Sequence, residues 1–410
     1  MKRPSEKRFY ESARLAFSRV VEEGLRNARL YLNCLENISN LAWPTVLSVI
    51  FASLLLSCST PKNLVGVELK APLDLMREAG QHRLFIATTR VPSSVSGEFY
   101  SGERSQALNF AQVEISVPPS HVPGEIERPR QLPPDPQKHF TINQPVSFNT
   151  ETQFQNELTA HLKGLPRENR NILLFVHGYN TNLTSAILQV TQFVEDTGYN
   201  GVPVLFSWAS SGQTLKYVYD INSVLSARDQ LVKMFSTLQL ASVESYDVVA
   251  HSMGTLLVME AARQIVISTG INPTGKVRNV VLAAPDIDRD LFLSQLRNFP
   301  EGGYNMIILV SSDDKALLAS RRVAGGVSRI GQLPASELDR RGIIAIDLSD
   351  VDDDSSYSHA KYKDSPEVVR LLGDALKNGN SFNARPKLTL GQTIGVGVDG
   401  AINTLTPDLN

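Results

Sequence analysis

From about residue 170 to 377 the chain repeats one pattern: a short, nearly continuous apolar run, then a longer segment of helical period. The runs fall at 172–176, 202–206, 246–250, 277–283, 306–310 and 342–347, and Val, Ile and Leu dominate them. Segments 184–196, 222–240, 253–267, 289–296 and 315–321 lie between the runs, and 366–377 follows the last one. A strand apolar at nearly every position needs cover on both faces, and a helix after each strand returns the chain to begin the next one parallel. The pattern predicts an α/β fold. Two earlier runs, 83–89 (RLFIATT) and 109–117 (NFAQVEISV), bring the expectation to a mostly parallel, eight-stranded sheet with helices on both faces. The proline-dense stretch 118–136 reads as extended surface chain, because proline blocks both helix and ladder hydrogen bonding.

Residues 246–258 read YDVVAHSMGTLLV: an apolar strand, then Ala250-His251-Ser252-Met253-Gly254, then a helical pattern. A serine on a sharp strand-to-helix turn needs small residues two before and two after it, so that strand and helix can pack closely. Ala250 and Gly254 meet that need. Such a turn exposes the hydroxyl at a helix N-terminus, where the helix dipole favours developing negative charge. Ser252 is therefore the expected nucleophile; the plainer reading is a serine capping an ordinary strand-to-helix turn. Residues 172–180 (ILLFVHGYN) run from a strand into His177-Gly178-Tyr179-Asn180. There Gly178 would let the Tyr179 amide face a reacting carbonyl, with the amide of Met253 as its partner in an oxyanion hole. His177, on this early strand, fits a structural hydrogen-bonding role better than that of a base.

With an elbow of this kind the triad follows in the order serine, acid, histidine. Of seven histidines only His359 lies beyond Ser252, so it is the expected base. The acid must hold the imidazole in one tautomer and leave the sheet near the histidine loop. Asp313 and Asp314 follow the run 306–310, and Asp286 and Asp288 follow 277–283. The later pair is better placed, and only one of two adjacent side chains can point inward. Helix capping is the plainer role for any of the four.

The N-terminus carries a different signal. Residues 41–57 (LAWPTVLSVIFASLLLS) hold no charge, and Lys and Arg outnumber Asp and Glu ahead of them. A positive flank, an apolar core and a small-residue end describe a secretory leader. Leu55-Leu56-Ser57-Cys58 resembles a bacterial lipobox, which implies cleavage before Cys58 and acylation of its thiol. The other reading is an uncleaved single-span anchor. Either one tethers the chain to a membrane of the cell envelope, with the catalytic part exported. The expected organisation is a leader or anchor (1–58), a tether (59–81), the α/β domain (82–379) and a Gly-rich tail (380–410). A net charge of −2 gives no basic surplus to meet phosphates, so no nucleic-acid partner is expected. Two cysteines exclude a disulfide framework and a Cys-based zinc site, and the histidines lack ligand spacing; no metal or cofactor is expected.

The chain resembles the bacterial, esterase- and lipase-like α/β-hydrolase family labelled domain of unknown function 900. The resemblance rests on IATTR (86–90), FVHGYNT (175–181), LFSWAS (205–210), YVYD (217–220), VVAHSMG (248–254), LAAPDID (282–288), SSDDKAL (311–317) and the His359 loop. It implies the α/β-hydrolase fold and aligns Asp314 with the family's acid, leaving Asp313 as a variable neighbour. The expected function is hydrolysis of an ester, thioester or amide on a small-molecule or lipid acyl substrate, through an acyl-enzyme. The alternatives are acyl transfer on the same residues, or a non-catalytic, envelope-tethered binding module.

Overall fold

A computed structural model describes residues 61–70 and 80–378, apart from 240–241, 271, 273, 300–301, 339–342 and 352–357. The segment expected to be a leader, with Cys58, and the residues from 380 lie outside the described residues. Nine strands form one sheet: β1 (Gly80–Pro92), β2 (Tyr100–Val117), β3 (Thr141–Phe148), β4 (Asn171–Val176), β5 (Val202–Ser207), β6 (Ser245–His251), β7 (Val277–Ala283), β8 (Asn305–Val310) and β9 (Ile343–Asp347). Their order is β3-β2-β1-β5-β4-β6-β7-β8-β9. β2 pairs antiparallel with β1 and β3, and every other pairing is parallel. The main helices are α1 (Glu151–Gly164), α2 (Leu183–Thr197), α3 (Tyr217–Gln239), α4 (Met253–Thr269), α5 (Arg289–Leu296), α6 (Lys315–Val323) and α7 (Pro366–Asn378).

The fully apolar runs are the strands with two cores against them. In β4, Ile172, Leu174 and Val176 face a core built with α1, α3, α4 and α5. Leu173 and Phe175 face the opposite core, with α2 and α7. Period-two alternation thus feeds both layers, as a doubly covered sheet requires.

Three features depart from the sequence expectation. The sheet has nine strands and not eight: β3 (TINQPVSF) is an edge strand holding Pro145, and a proline argues against strand except at an edge. Helix α1 was also unassigned; its sequence ETQFQNELTAHLKG buries only Phe154, Leu158 and Leu162. Finally, part of the expected tether packs on the domain. Leu64 and Val65 are buried, Val65 bridges to Ile142, and the Leu64 amide donates to Thr184 Oγ1 at 3.1 Å. Among the described residues no helix is long and apolar enough to cross a membrane.

The strand order places the site. After β4 the chain moves to one side for β5, then returns to the other side of β4 for β6. Helices α2 and α3 consequently cover opposite faces. The winding reverses at β4, and the carboxyl ends beside such a reversal are where open α/β sheets bind ligands. The turns after β4 and β6 meet there.

Candidate active site

Ser252 stands between β6 and α4 with φ 53° and ψ −124°, a conformation that side chains other than glycine rarely adopt. Its backbone is clamped: its amide donates to Ala283 O at 2.9 Å, and its carbonyl accepts from Thr255 N at 3.0 Å and Thr255 Oγ1 at 2.6 Å. Its side chain makes no capping hydrogen bond, so the hydroxyl is not consumed in starting the helix. That separates it from an ordinary N-cap serine.

The turns after β4 and β6 touch so closely that two glycines are obligatory. A Cβ on Gly254 would sit 2.4 Å from His177 O, and one on Gly178 would sit 2.8 Å from His251 Nδ1 and 2.9 Å from Ser252 Cβ. Among the described residues neither the Tyr179 nor the Met253 amide donates a hydrogen bond. Unpaired amides are rare where backbone is covered, and two on abutting turns can serve a developing oxyanion.

His177 is fully buried and stacked on Trp208, with ring centroids 5.0 Å apart. Its Nδ1 donates to Gly178 O at 2.9 Å, and its Nε2 accepts from Ser207 Oγ at 3.2 Å. Burial first, then the charge of Arg90, pull its pKa down to about 3. A ring held neutral and bonded at both nitrogens is structural.

Between the loops after β8 and β9, His359 Nδ1 donates to Asp314 Oδ2 at 2.7 Å. The Asp314 side chain is wholly buried, and its Oδ1 also accepts from Leu317 N at 2.9 Å, capping α6. One carboxylate therefore caps a helix and orients an imidazole. Asp313 turns the opposite way, to Lys361 Nζ at 2.9 Å. The other two aspartates are engaged elsewhere. Asp288 caps α5, while Asp286 accepts from Ser320 Oγ at 2.5 Å and Tyr217 OH at 3.0 Å and pairs with Arg329 at 3.2 Å.

His251, the residue before Ser252, links the halves. Its Nε2 donates to His359 O at 3.2 Å, and the two rings lie 4.7 Å apart. Burial, then the neighbouring His359, push its pKa well below the usual imidazole value, so it acts as a neutral donor. The sequence reading passed over His251, Lys361, Arg90 and Asp220. The last two lie in the quoted IATTR and YVYD strings, and a charge ending an apolar run or opening a helix under such a turn was the available signal. Among the described residues no group of three or more His, Cys, Asp or Glu is placed to hold a metal ion. An apolar cavity of about 90 Å³, lined by Tyr246, Val277 and Met306 among others, sits at the amino ends of β6, β7 and β8, the edge opposite Ser252.

The sequence profile of the family described as "alpha/beta hydrolase of unknown function (DUF900)" matches residues 150–375, more than half of the chain. The chain belongs to this family. It is a hydrolase with the α/β-hydrolase fold. Solved structures similar to this hydrolase include an esterase of Pyrobaculum calidifontis, 11% identical over 85% of this chain and 97% of that one, with a TM-score of 0.35. A dienelactone hydrolase from Anabaena variabilis is 12% identical over 74% of this chain and 98% of its own, with a TM-score of 0.32. A predicted CIB-like hydrolase from Thermoplasma acidophilum is 15% identical over 52% and 89%, with a TM-score of 0.30. No curated protein matches the chain.

Proposed function

We propose that Ser252, His359 and Asp314 act as nucleophile, base and acid, and that the hydrolase cleaves an ester, thioester or amide through an acyl-enzyme. The observation that carries this reading is the His359–Asp314 hydrogen bond at 2.7 Å, with the His359 ring 4.7 Å from that of His251, the residue before a strained serine whose hydroxyl caps nothing. In the first step His359 takes the proton of Ser252 Oγ as that oxygen attacks the substrate carbonyl. The carbonyl oxygen gains the negative charge, and the free amides of Tyr179 and Met253 are the donors for it. Collapse of the adduct breaks the bond to the alcohol, thiol or amine, which leaves with the proton from His359. Water, deprotonated by the same ring, then releases the acid and restores the serine. Asp314 fixes the tautomer with Nδ1 protonated and stabilises the transient imidazolium.

A fluorophosphonate probe on the full-length chain tests this reading. The probe forms an Oγ–phosphorus bond and expels fluoride, so the wild type should label with one equivalent at Ser252. Ser252→Ala should not label, and His359→Ala should label slower by about two orders of magnitude or more, as loss of a general base entails. Labelling of Ser252→Ala at the wild-type rate, or a folded wild type inert to probe and to p-nitrophenyl esters of graded chain length, overturns it.

A further inference from the structure

Beneath the turn after β4 lie two charges that the proposed chemistry does not use. Arg90, at the carboxyl end of β1, is fully buried, yet every nitrogen of its guanidinium is engaged. Nε donates to Ser207 Oγ at 2.8 Å, Nη1 to Ser101 O at 3.1 Å and Ser210 O at 2.9 Å, and Nη2 to Thr181 O at 2.7 Å. Asp220, in the first turn of α3, is equally buried. Its Oδ2 accepts from Asn180 N at 3.2 Å and Ser210 Oγ at 2.6 Å, and its Oδ1 accepts from Ser211 N at 2.8 Å.

The division of labour follows charge type. The carboxylate collects N–H groups of the turns after β4 and β5, and the guanidinium collects their carbonyls. Ser210 joins the two, since its carbonyl binds Arg90 and its hydroxyl binds Asp220 and also accepts from Thr181 N at 3.0 Å. Asn180 and Thr181 thus have both amides tied, and Asn180 is held at φ 54°. The amide left over is that of Tyr179. Two buried charges are a costly way to hold a turn that apolar packing could stabilise, and what they add is direction.

We infer that Arg90 and Asp220 are positioning residues that aim the Tyr179 amide at the reacting carbonyl, a role resting on the serine-hydrolase reading. Burial lowers the Arg90 pKa to about 10, against the opposing charge of Asp220, so the guanidinium stays charged at neutral pH.

Asp220→Asn leaves one acceptor oxygen for three donors, and Arg90→Lys keeps the charge but loses the planar fork. Both full-length variants are titrated to completion with fluorophosphonate, so that kcat is expressed per reactive serine and misfolded protein drops out. A p-nitrophenyl butyrate assay then gives kcat and KM. A trifluoromethyl ketone of the same chain length, whose serine adduct places an oxyanion in the hole, gives Ki. The expected result is a fall in kcat of about 10- to 100-fold, below the 10²–10³ for outright removal of an oxyanion donor. KM should stay within about threefold, and Ki should rise by the factor lost in kcat/KM. Wild-type kcat per reactive serine, or losses confined to KM, would overturn the inference while leaving the triad standing. A wild type that neither labels nor turns over ester overturns both, and Ser252→Ala tells the two failures apart.

Discussion

The turns after β4 and β6 leave neighbouring strands of one sheet, and their contact is steric: Gly178 and Gly254 have no room for a methyl group. Asp314 and His359 leave the loops after β8 and β9, and their contact is electrostatic. Asp314 grips His359, while Asp313 grips Lys361 two residues further along. The contact between the two turns is therefore fixed by close packing of backbone, above the buried Arg90 and Asp220, whereas the Asp314–His359 contact is fixed by charges meeting across loops. A packed contact fails with added volume. A charge-held half tolerates volume and fails when one proton or one charge is altered.

The sharpest test of that contrast is Asp314→Asn. Asparagine caps a helix as well as aspartate does, so α6 should keep its start and thermal stability should barely move. The amide can nevertheless favour the wrong imidazole tautomer, and kcat should fall by about 10⁴-fold. A mild effect here, with a crippled Asp286→Asn, would move the acid to the loop after β7.

The second test addresses the packed half through pH. His177 is held at a pKa of about 3 by burial and by Arg90, against an ordinary value of 6.5. Between those values the unfolded chain binds a proton that the folded chain refuses, so stability should decline as pH falls from about 6.5 towards 3. His251, depressed in the same direction, adds to that decline. In urea unfolding followed against pH, His177→Asn should flatten the acid slope. An unchanged slope would mean that another group controls acid unfolding.

The smallest expected effect lies in the second clamp of the charge-held half. Lys361 is 3% exposed in its side chain, but its partner Asp313 is 46% exposed. Lys361→Met should keep the buried stem and leave a carboxylate that water can serve, costing about 1 kcal/mol of stability. His359 should lose registry, and kcat should fall by about threefold to tenfold, well short of the roughly 10² that an ångström of misplacement can cost. The measurement is kcat per fluorophosphonate-reactive serine beside a thermal melt. A loss as large as that of Asp314→Asn would mean that the clamp, and not the acid, holds the base.

Legibility in the sequence follows the same division. Strands β4 to β9 and helices α2 to α7 were read within a few residues, because a strand buried on both faces has to be continuously apolar. The elbow was equally plain, since its geometry restricts residue size at fixed spacing. The edge strand β3 carries a proline and is exposed over its second half, and helix α1 buries only three side chains, so neither shows a sustained apolar period. Arg90 and Asp220 sit in short motifs that give neither a role by themselves. Arg90 bonds to Ser210, 120 residues away, and no local pattern announces such a partner.

What the sequence determined by itself is what short-range physics dictates: strand, turn and helix in order, a serine at a turn that only small neighbours permit, and one histidine beyond it. The resemblance already pointed to Asp314 as the acid; which partner each of the four aspartates meets belonged to the tertiary structure. Asp313 and Asp314 are chemically identical neighbours on one loop, and only the directions in which their Cα–Cβ bonds leave the end of β8 send one carboxylate to His359 and the other to Lys361. Backbone direction at that point depends on how β8 and β9 pair and where the His359 loop returns, and those are distances between residues far apart in the chain.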